Sequence, residues 1–520
     1  MDAVRLHVNG EALEVRGVSP TTTLLEYLRQ HLRRPGTKEG CAEGDCGACT
    51  VVVIDPEAPA GPRFRAVNSC LLLLPLLHGT QVFTVEALRE GSGAGPQGYH
   101  PVQQALVDAL GSQCGYCTPG VIMSMFEACY RDDLDAPWKL DDQMCGNLCR
   151  CTGYRPIRDA TVQIAGRRPN DRFAAALRAT PATAVGASLD YRFEPAADPG
   201  APEHGAAAQR FWMPTTWEEL FEITAAHPEH RYVVGATDLG LDVTKKGERF
   251  RALVSLHGLP VLRRLEHAEG RWSIGATVRL ADLEDATDHA LPPIARMLRF
   301  FGSRQIKNGA TVGGNLCNAS PIGDLAPVLL ALDATMVARG PAGERRIPID
   351  EFFVAYRKTA LAPDELLARV ELLDPPAGAR IGAYKVSKRR EMDISAVAAG
   401  LRVDVDHDGI VTGARFGFGG MAATPSRARR AEAAVVGQPW SEATAEAAAL
   451  RIADDFQPMS DHRGSAWYRA TVAANLVRGL HADTRHEPIP RLVDRPSGTL
   501  LGNGLGNGLA VDPSAEETQP

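Results

Sequence analysis

The cysteine pattern of the first 151 residues constrains this chain more than any other feature. Ten of the eleven cysteines lie there, and eight of them form two groups of four. The first group has the spacing C-x4-C-x2-C followed by a more distant cysteine, and it consists of Cys41, Cys46, Cys49 and Cys70. This spacing is typical of a [2Fe–2S] cluster loop, whereas a zinc site favours C-x2-C pairs around a knuckle. We therefore predict an iron–sulfur cluster at the first group.

The second group combines a C-x2-C pair with a C-x-C pair, and it consists of Cys114, Cys117, Cys149 and Cys151. Taken alone, this spacing fits a zinc site as well as it fits a second cluster. Three cysteines remain outside both groups, namely Cys129, Cys145 and Cys317. We interpret them as spare thiols without a ligand role.

Composition excludes several classes of protein. The 520 residues are too many for one core and predict three or four domains. A net charge of −7, with no run of basic residues, argues against nucleic-acid binding. The apolar run 70–77 is too short to span a bilayer, and the N-terminus lacks the pattern of a secretory signal. Clustered cysteines then favour thiolate ligation in a reducing cytoplasm over disulfide bonds.

The N-terminal order of elements predicts a β-grasp, ferredoxin-like fold over residues 1–85. Alternating apolar residues around Asn9-Gly10 indicate a β-hairpin with a type I′ turn. Thr23 and Glu26 form a capping-box pattern at the start of a helix. The cluster loop 40–49 follows, and its Gly44 and Gly47 permit left-handed backbone close to the metal.

After residue 85 the predicted secondary structure of the chain changes twice. Residues 86–165 are predicted to be helical, with helices beginning at Pro101 and Pro119. Residues 166–208 are rich in small and turn-forming residues, and we interpret them as a linker. From about 211, strands alternate with helices and predict α+β units over 209–376 and 377–487. The composition of 488–520 predicts a disordered tail.

Two long strings around the second cysteine group resemble a known family. QCGYCTPGVIMS at 113–124 and GNLCRCTGYRPI at 146–157 are similar to the second [2Fe–2S] domain of the molybdenum hydroxylases, the xanthine oxidase family. The resemblance implies a helical bundle that holds a second [2Fe–2S] cluster near helix N-termini, where the helix dipole favours an anionic group. It also implies that Gln113 contacts the pterin cofactor of a molybdenum subunit.

Four later stretches resemble the FAD-binding domain of the same family: YVVGATDLG at 232–240, ATVGGNLCNASPIGDLAPV at 310–328, YRKTALAPDELL at 356–367 and YKVSKRREMDISAV at 384–397. None contains G-x-G-x-x-G, so no Rossmann fold is inferred. The resemblance continues through 416–428 and 460–469. Its implied FAD contacts are Tyr232, Val233, Val234, Gly235, Ala236, Thr237, Asp238, Leu239, Phe301, Thr311, Val312, Gly313, Gly314, Asn315, Ser320, Asp324, Leu367 and Lys385.

The resemblance implies a multidomain α+β chain that acts as the small, electron-transfer subunit of a split xanthine dehydrogenase. A large subunit would carry molybdopterin and hydroxylate the purine, in an assembly of two small and two large chains. Electrons would pass through the second cluster, the first cluster and FAD to NAD, because clusters transfer single electrons and NAD needs two. The sequence shows no acid/base constellation, so no catalytic residue is predicted.

Two other function classes stay open. One is the corresponding subunit of another molybdenum hydroxylase, acting on an aldehyde or an N-heterocycle, and the other is a non-enzymatic electron carrier with degenerate flavin loops. One departure bears on the electron acceptor, because Met392 replaces an acidic residue that NAD-reducing members of the family carry near the flavin. Asp393 and Tyr356 match the family pattern. The sequence does not decide whether NAD or oxygen is the electron acceptor.

Overall fold

The computed structural model describes residues 3–56, 58, 61–89, 98–180, 188–195 and 208–489. Its first domain is a five-stranded mixed sheet with the strand order β2-β1-β5-β3-β4. Its elements are β1 Val4–Val8, β2 Glu11–Val15, α1 Leu24–Glu26, β3 Thr50–Asp55, β4 Arg63–Asn68 and β5 Gln81–Phe83. The predicted hairpin turn has positive φ at both central residues, 59° at Asn9 and 88° at Gly10, as a type I′ turn requires. The α-helical part of the predicted helix is short, because it continues as a π-helix at Tyr27–His31.

A helical domain follows, as the sequence predicts. Its helices are α2 Pro101–Asp108, α3 Thr118–Tyr130, α4 Pro137–Met144 and α5 Arg155–Ile164. The central helix α3 is buried over most of its length, and Phe126 packs edge-to-face against Phe64 of the first domain. The two cysteine-rich domains therefore share one apolar core.

The predicted linker 166–208 contains two regular elements where it is described. These are α6 Arg172–Ala179 and β6 Leu189–Phe193. Asp171 caps α6 by accepting the backbone N–H groups of Phe173 and Ala174. Strand β6 pairs with β7 Gln209–Met213 in the sheet of the next domain. The predicted domain boundaries themselves stay a prediction.

The third domain contains two sheets. The first has the order β6-β7-β9-β8, and its further elements are α7 Trp217–Ala226, β8 Arg231–Val233, α8 Leu239–Lys246 and β9 Ala252–Ser255. The second sheet consists of β10 Leu265–Ala268, β11 Arg271–Gly275, β12 Thr335–Gly340, β13 Gly343–Pro348 and β16 Leu366–Leu373 in the order β10-β11-β16-β12-β13. A small hairpin pairs β14 Phe353–Ala355 with β15 Lys358–Thr359.

Six helices accompany the second sheet of this domain. They are α9 Leu280–Ala290, α10 Pro292–Arg299, α11 Arg304–Gly309, α12 Val312–Cys317, α13 Leu325–Ala331 and α14 Ile349–Phe352. Helix α13 is buried along its whole length and packs against the C-terminal subdomain. Helix α11 is also buried, although four of its six residues are polar: Arg304, Gln305, Lys307 and Asn308.

The C-terminal subdomain is an antiparallel sheet in the order β17-β18-β19-β20, covered by helices. The elements are β17 Ala379–Val386, β18 Val397–Val405, β19 Val411–Gly419, β20 Ser426–Arg427, α15 Arg429–Ala433, α16 Glu442–Asp455 and α17 Ala466–Asp483. Within the described ranges, no helix is long and apolar enough to cross a membrane. The predicted tail lies outside the described residues from position 490 onward.

Candidate cofactor sites

Three cysteines of the first group lie in the loop between the π-helix Tyr27–His31 and β3, and Cys70 lies two residues after the end of β4. The thiols of Cys49 and Cys70 lie 3.3 Å apart, and the backbone N–H of Cys46 donates to the Cys41 sulfur at 3.3 Å, which places those two side chains together. Gly44 and Gly47 have φ values of +83° and +67°, the left-handed backbone that the sequence predicts for this loop. The four thiols therefore form two adjacent pairs, which matches the two irons of a [2Fe–2S] cluster.

The electrostatics of this loop favour one negatively charged sulfur in each pair, because the contacts within each pair raise the pKa values of Cys46 and Cys70. Contact with the Cys46 thiol, helped by backbone N–H groups of Cys46, Glu43 and Asp45, lowers the pKa of Cys41 to about 5. The Cys70 thiol likewise lowers the pKa of Cys49. Because the thiolate is the form that ligates metal, a loop that stabilises thiolates fits a bound cluster.

The second cysteine group lies at the surface of the helical domain. The side chain of Cys114 lies next to that of Cys151, and the side chain of Cys117 lies next to that of Cys149. Cys114 and Cys151 are exposed, whereas Cys149 is buried and its sulfur lies 3.1 Å from Thr152 Oγ1. Burial is the main cause that raises the pKa of Cys117 to about 12. The arrangement again forms two pairs, as in the first group.

The spare cysteines lie apart from both groups. The Cys145 thiol donates to the backbone carbonyl of Asp142 at 3.2 Å, and Cys129 is fully buried in the core of the helical domain. Cys317 lies on α12 in the third domain. Their interpretation as non-ligands stays a prediction.

The two cluster loops touch each other. The backbone N–H of Leu148, next to Cys149, donates to the carbonyl of Cys46 at 3.0 Å. The Tyr116 hydroxyl donates to the carbonyl of Glu39, just before the first loop. A Cβ placed on Gly120 would lie 2.0 Å from the carbonyl oxygen of Gly47, so only glycine fits there. The two predicted cluster loops are therefore in direct backbone contact, without a layer of side chains between them.

Two of the predicted flavin stretches lie side by side. The loop after β8 meets the end of α11, since a Cβ on Gly235 would lie 1.8 Å from the carbonyl oxygen of Gly309. Ala236 has a φ of 55°, which turns the chain sharply before α8. The side chain of Thr237 lies against Gly309, and Asp238 and Leu239 begin α8. Such adjacent turns leave backbone N–H groups available to a diphosphate.

The second stretch forms the first turn of α12. Thr311 caps this helix by accepting the N–H of Gly314 at 3.2 Å, and Asn315 follows in the same turn. Gly314 is exposed, and an added Cβ would meet nothing but the Thr311 hydroxyl within 4 Å. Gly313 differs, because its Cβ would lie 2.8 Å from Ala276. Gly314 is therefore open to a cofactor, whereas Gly313 serves close packing.

The second and fourth stretches meet at an ion pair. Lys385 Nζ donates to Asp324 Oδ2 at 2.7 Å and to the carbonyl of Phe300 at 2.9 Å. Asp324 also accepts from the hydroxyl of Ser395 at 2.5 Å. Ser320 accepts the N–H of Ile322 in the loop between α12 and α13. These contacts hold polar groups of both stretches in fixed positions beside the predicted flavin.

Other predicted contacts belong to the apolar framework. Val233, Val312 and Leu367 are buried in hydrophobic cores, and Phe301 packs partly against one of them. Burial raises the pKa of Tyr232 to about 12, and Val234 packs beside it in the core under α7. The third stretch approaches the second where β16, which contains Leu367, contacts α12. All four stretches thus converge, and the arrangement fits FAD.

The predicted flavin loop lies directly on the first cluster loop. On α8, Thr244 Oγ1 donates to the carbonyl of Ala42 at 2.8 Å, and Lys245 Nζ donates to the carbonyl of Cys41 at 2.5 Å. A Cβ on Gly240 would lie 2.7 Å from the carbonyl oxygen of Leu71. The three predicted sites are therefore in contact in the order second cysteine group, first cysteine group, flavin loops, and the first cysteine group contains the most buried thiols.

Several residues around these sites escaped the sequence analysis. They include Ser395, which fixes Asp324, and the buried polar residues of α11. The sequence offers one signal for them, the run SRQIKN at 303–308 directly before a glycine-rich loop. Such a run is also typical of an exposed turn, so its burial is not visible without the fold.

Four family models match the chain. Residues 6–74 match the "2Fe-2S iron-sulfur cluster binding domain", and 84–162 match the "[2Fe-2S] binding domain". Residues 206–373 match the "FAD binding domain in molybdopterin dehydrogenase", and 382–484 match the "CO dehydrogenase flavoprotein C-terminal domain". These matches confirm the predicted fold class and the predicted cofactors, two [2Fe–2S] clusters and FAD. They do not test the individual ligand residues, which stay predictions.

Curated relatives match almost the whole chain. Xanthine dehydrogenase from Emericella nidulans is 35% identical over 533 residues, which covers 93% of this chain and 38% of that protein. Xanthine dehydrogenase/oxidase from Rattus norvegicus is 33% identical and covers 89% of this chain and 37% of that protein. The chain therefore spans about two fifths of the length of these relatives.

A solved structure also matches part of the chain. The carbon monoxide dehydrogenase from Hydrogenophaga pseudoflava, which lacks the Mo-pyranopterin moiety of its cofactor, gives a TM-score of 0.49 at 24% identity. The match covers 52% of this chain and 94% of that one. This likeness is too low to support a functional argument.

Proposed function

Because this chain belongs to the molybdenum hydroxylase family that includes the xanthine dehydrogenases, we propose that it is the iron–sulfur and flavin subunit of a xanthine dehydrogenase. In this role it relays electrons from purine hydroxylation on a partner that holds molybdopterin, and it delivers them to NAD. When bound, the clusters supply single-electron transfer and FAD supplies the two-electron transfer that NAD requires. The free thiols of both cysteine groups suit a reducing compartment, so the proposal places the protein in the cytoplasm.

One observation carries this proposal: the three predicted cofactor sites are in contact in one order, with the first cysteine group between the second group and the flavin loops. Cys114 and Cys151 are exposed, the thiols of Cys49 and Cys70 are buried, and α8 joins the first cluster loop to the flavin loop. A relay between a partner and the flavin needs this order. An isolated storage protein would gain nothing from it.

The surface around the second cysteine group suits a protein partner. Leu110 is 80% exposed and Tyr116 is 51% exposed, and Leu148 and Tyr154 add further apolar area. Gln113, the residue whose match in the family contacts the pterin, is exposed in the same loop. Apolar groups that surround a polar centre are typical of interfaces rather than of free surface. We propose that the large subunit covers this patch, in an assembly of two small and two large chains.

The residues near the flavin carry out binding rather than chemistry. Lys385 and Asp324 hold each other in place, and Gly314 leaves the first turn of α12 open. Asp393 accepts the backbone N–H groups of Lys388, Arg389 and Ile394, so its carboxylate stabilises its own turn. Met392 is uncharged and cannot replace the acidic residue that NAD-reducing members of the family carry near the flavin. The proposal therefore keeps NAD as acceptor and requires a direct comparison with oxygen.

The test combines cofactor analysis with reconstitution. The purified chain should contain about four irons and one FAD, with two distinct [2Fe–2S] signals by EPR after reduction with dithionite. Added to a xanthine-type large subunit, it should support xanthine-dependent formation of NADH faster than uptake of oxygen. Zinc in place of iron would refute the relay. Turnover of an aldehyde or another N-heterocycle, but not of xanthine, would refute the purine assignment alone.

Matched surface variants test the docking patch. Leu110→Arg should weaken binding of the large subunit. It should leave iron and FAD content unchanged, because the Leu110 side chain is 80% exposed and is none of the predicted ligands. Leu450→Arg is the control, since Leu450 is 66% exposed on α16 of the C-terminal subdomain. Equal binding by both variants would place the partner elsewhere.

A further inference from the structure

Helix α8 of the FAD-binding domain packs against the residues around the first cysteine group. Near the start of the helix, a Cβ on Gly240 would lie 2.7 Å from the carbonyl oxygen of Leu71, next to Cys70. Closer to its end, Thr244 Oγ1 lies 2.8 Å from the carbonyl oxygen of Ala42. The helix that begins at the predicted flavin loop therefore contacts both segments that carry the first cysteine group.

The hydroxyl of Thr244 has one hydrogen and two carbonyl oxygens within reach. The oxygen of Ala42 lies at 2.8 Å and that of Gly240, one turn earlier in α8, lies at 3.1 Å. The Gly240 carbonyl serves the hydrogen bonding of the helix itself. Among the hydrogen bonds of the described residues, the Ala42 carbonyl accepts only from Thr244. The hydroxyl therefore donates to Ala42, across the boundary between the two domains.

The Ala42 carbonyl and the Glu43 N–H belong to one peptide group. In a planar trans peptide they point in opposite directions, so a bond that fixes the oxygen also fixes the hydrogen. The Glu43 N–H donates to the Cys41 sulfur at 3.4 Å. Lys245 Nζ donates to the carbonyl of Cys41, which belongs to the preceding peptide group and leaves this one free to rotate. Thr244 is thus the group that holds the Glu43 donor toward the sulfur.

The backbone of this segment needs outside contacts to keep its conformation. Ala42 has a φ of 54°, in the left-handed region that residues with a Cβ seldom adopt. Such a conformation persists where the surrounding structure holds it in place. Without the Thr244 hydroxyl, the peptide between Ala42 and Glu43 should rotate more freely and turn its N–H away from Cys41.

We propose that Thr244 is a positioning residue that raises the reduction potential of the first cluster by holding the Glu43 N–H toward the Cys41 sulfur. The proposal rests on the proposed function, since it requires that Cys41 ligates a cluster. Hydrogen bonds to ligand sulfur stabilise the reduced, more negative state of a cluster and so raise its potential. The helix that carries the predicted flavin loop thereby adjusts the cluster that lies next to it.

The experiment measures the potentials of both clusters in the full chain by EPR-monitored redox titration. Thr244→Val keeps the shape of the side chain and removes the hydroxyl. It should shift the reduction equilibrium of the first cluster about threefold toward the oxidised form, which corresponds to about 28 mV. The second cluster should keep its potential. A Cys149→Ser chain, expected to lack the second cluster, identifies which signal belongs to the first.

Pulsed EPR tests the hydrogen bond itself. After exchange of the reduced chain into D2O, deuterons of amide groups that donate to a cluster couple to its electron spin. The coupling of one such deuteron at the first cluster should weaken in Thr244→Val and persist in the parent chain. A purely structural role of Thr244 would not change one coupling selectively.

Two matched variants of α8 are the controls. Thr244→Ser restores the hydroxyl and should keep the potential of the parent chain. Lys246→Met changes an exposed ion pair with Asp242 two positions further along the helix, and it should also leave the first cluster unchanged. Together they separate the loss of the hydroxyl from a general disturbance of α8.

Three outcomes would overturn the proposal. The first is full iron content with an unchanged or raised potential in Thr244→Val. The second is an equal shift in Thr244→Ser and Thr244→Val, because the hydroxyl would then not be the cause. The third is loss of iron from both Thr244→Val and Thr244→Ala, which would indicate a role in assembly. Absence of two [2Fe–2S] signals in the parent chain would instead refute the proposed function.

Discussion

Replacing Lys307 with methionine tests how the helical domain is held against the FAD-binding domain. Lys307 is fully buried on α11, and its Nζ donates to Asp142 Oδ1 at 2.5 Å and to Glu284 Oε2 at 2.6 Å. Asp142 lies on α4 of the helical domain, and Glu284 lies on α9 of the FAD-binding domain. Methionine keeps most of the side-chain volume but leaves two buried carboxylates without their ammonium group.

The magnitude follows from the burial of all three groups. Removing one partner of a buried ion pair costs ~3–5 kcal/mol, because the remaining charge stays buried and uncompensated. Arg304 Nη1 lies 3.8 Å from Asp142 and 4.0 Å from Glu284, so it compensates part of the lost charge. The lower limit, about 3 kcal/mol, is therefore expected, and it corresponds to roughly a hundredfold change in an opening equilibrium.

Hydrogen exchange followed by mass spectrometry measures this change locally. Amides of α4 exchange when the helical domain opens, so their rates report the free energy of that opening. Lys307→Met should speed exchange in 137–144 about a hundredfold. Lys246→Met is the control, because Lys246 forms an exposed i,i+4 pair with Asp242 and should leave α4 unchanged. Less than a tenfold change in α4 of Lys307→Met would refute the reasoning.

Three further predictions concern the clusters and pH. Cys149→Ser should lower iron from about four to about two per chain, whereas Cys145→Ser should leave it unchanged, and equal iron in both variants would contradict the ligand assignment. Gly120→Ala should separate the cluster loops and reduce iron, whereas Gly479→Ala, whose added Cβ meets nothing within 4 Å, should not. Burial is the main cause that raises the pKa of Glu284 to about 7 from an ordinary 4.5, so the folded chain binds a proton more tightly than the unfolded chain and stability should fall as pH rises through that window. Glu284→Gln should flatten this fall in thermal midpoints, and an unchanged slope would contradict it.

Local patterns were predictable where a short segment determines its own conformation. Asn9-Gly10 specifies a turn with positive φ at both residues, and the structure has that turn. The helices expected at Pro101 and Pro119 begin at Pro101 and Thr118. The cysteine spacing also anticipated which thiols come together, because metal ligation depends on spacing that is visible in one dimension.

Features that depend on long-range contacts were not predictable in this way. Strand β6 lies in a segment interpreted as a linker, and it becomes a strand because β7 offers it an edge. The helix after Thr23 continues as a π-helix at Tyr27–His31, although its capping box predicts a regular helix. Burial of α11 follows from partners in two other domains, since Arg65 and Glu127 supply charges and acceptors from the first domain and from α3. No local pattern contains that information.

The two cluster loops differ in burial, and hydrogen bonds must offset the effect of that difference on the reduction potentials. Reduction adds negative charge to a cluster, and a low-dielectric surrounding disfavours that charge, so deeper burial lowers the potential. Cys49 and Cys70 are 2% and 1% exposed, whereas Cys114 and Cys151 are exposed. Burial alone would therefore make the inner cluster the poorer acceptor and oppose electron flow toward the flavin.

N–H donors to the inner sulfurs act against this penalty. The N–H groups of Glu43 and Cys46 donate to the Cys41 sulfur at 3.4 and 3.3 Å, and the side-chain amide of Asn68 donates to the Cys49 sulfur at 3.8 Å. The loop itself supplies the first two donors, whereas the third comes from Asn68 at the end of β4. In a half-reduced Asn68→Leu chain, EPR intensity should consequently move from the first cluster to the second. An unchanged distribution of electrons would mean that the loop alone offsets its burial.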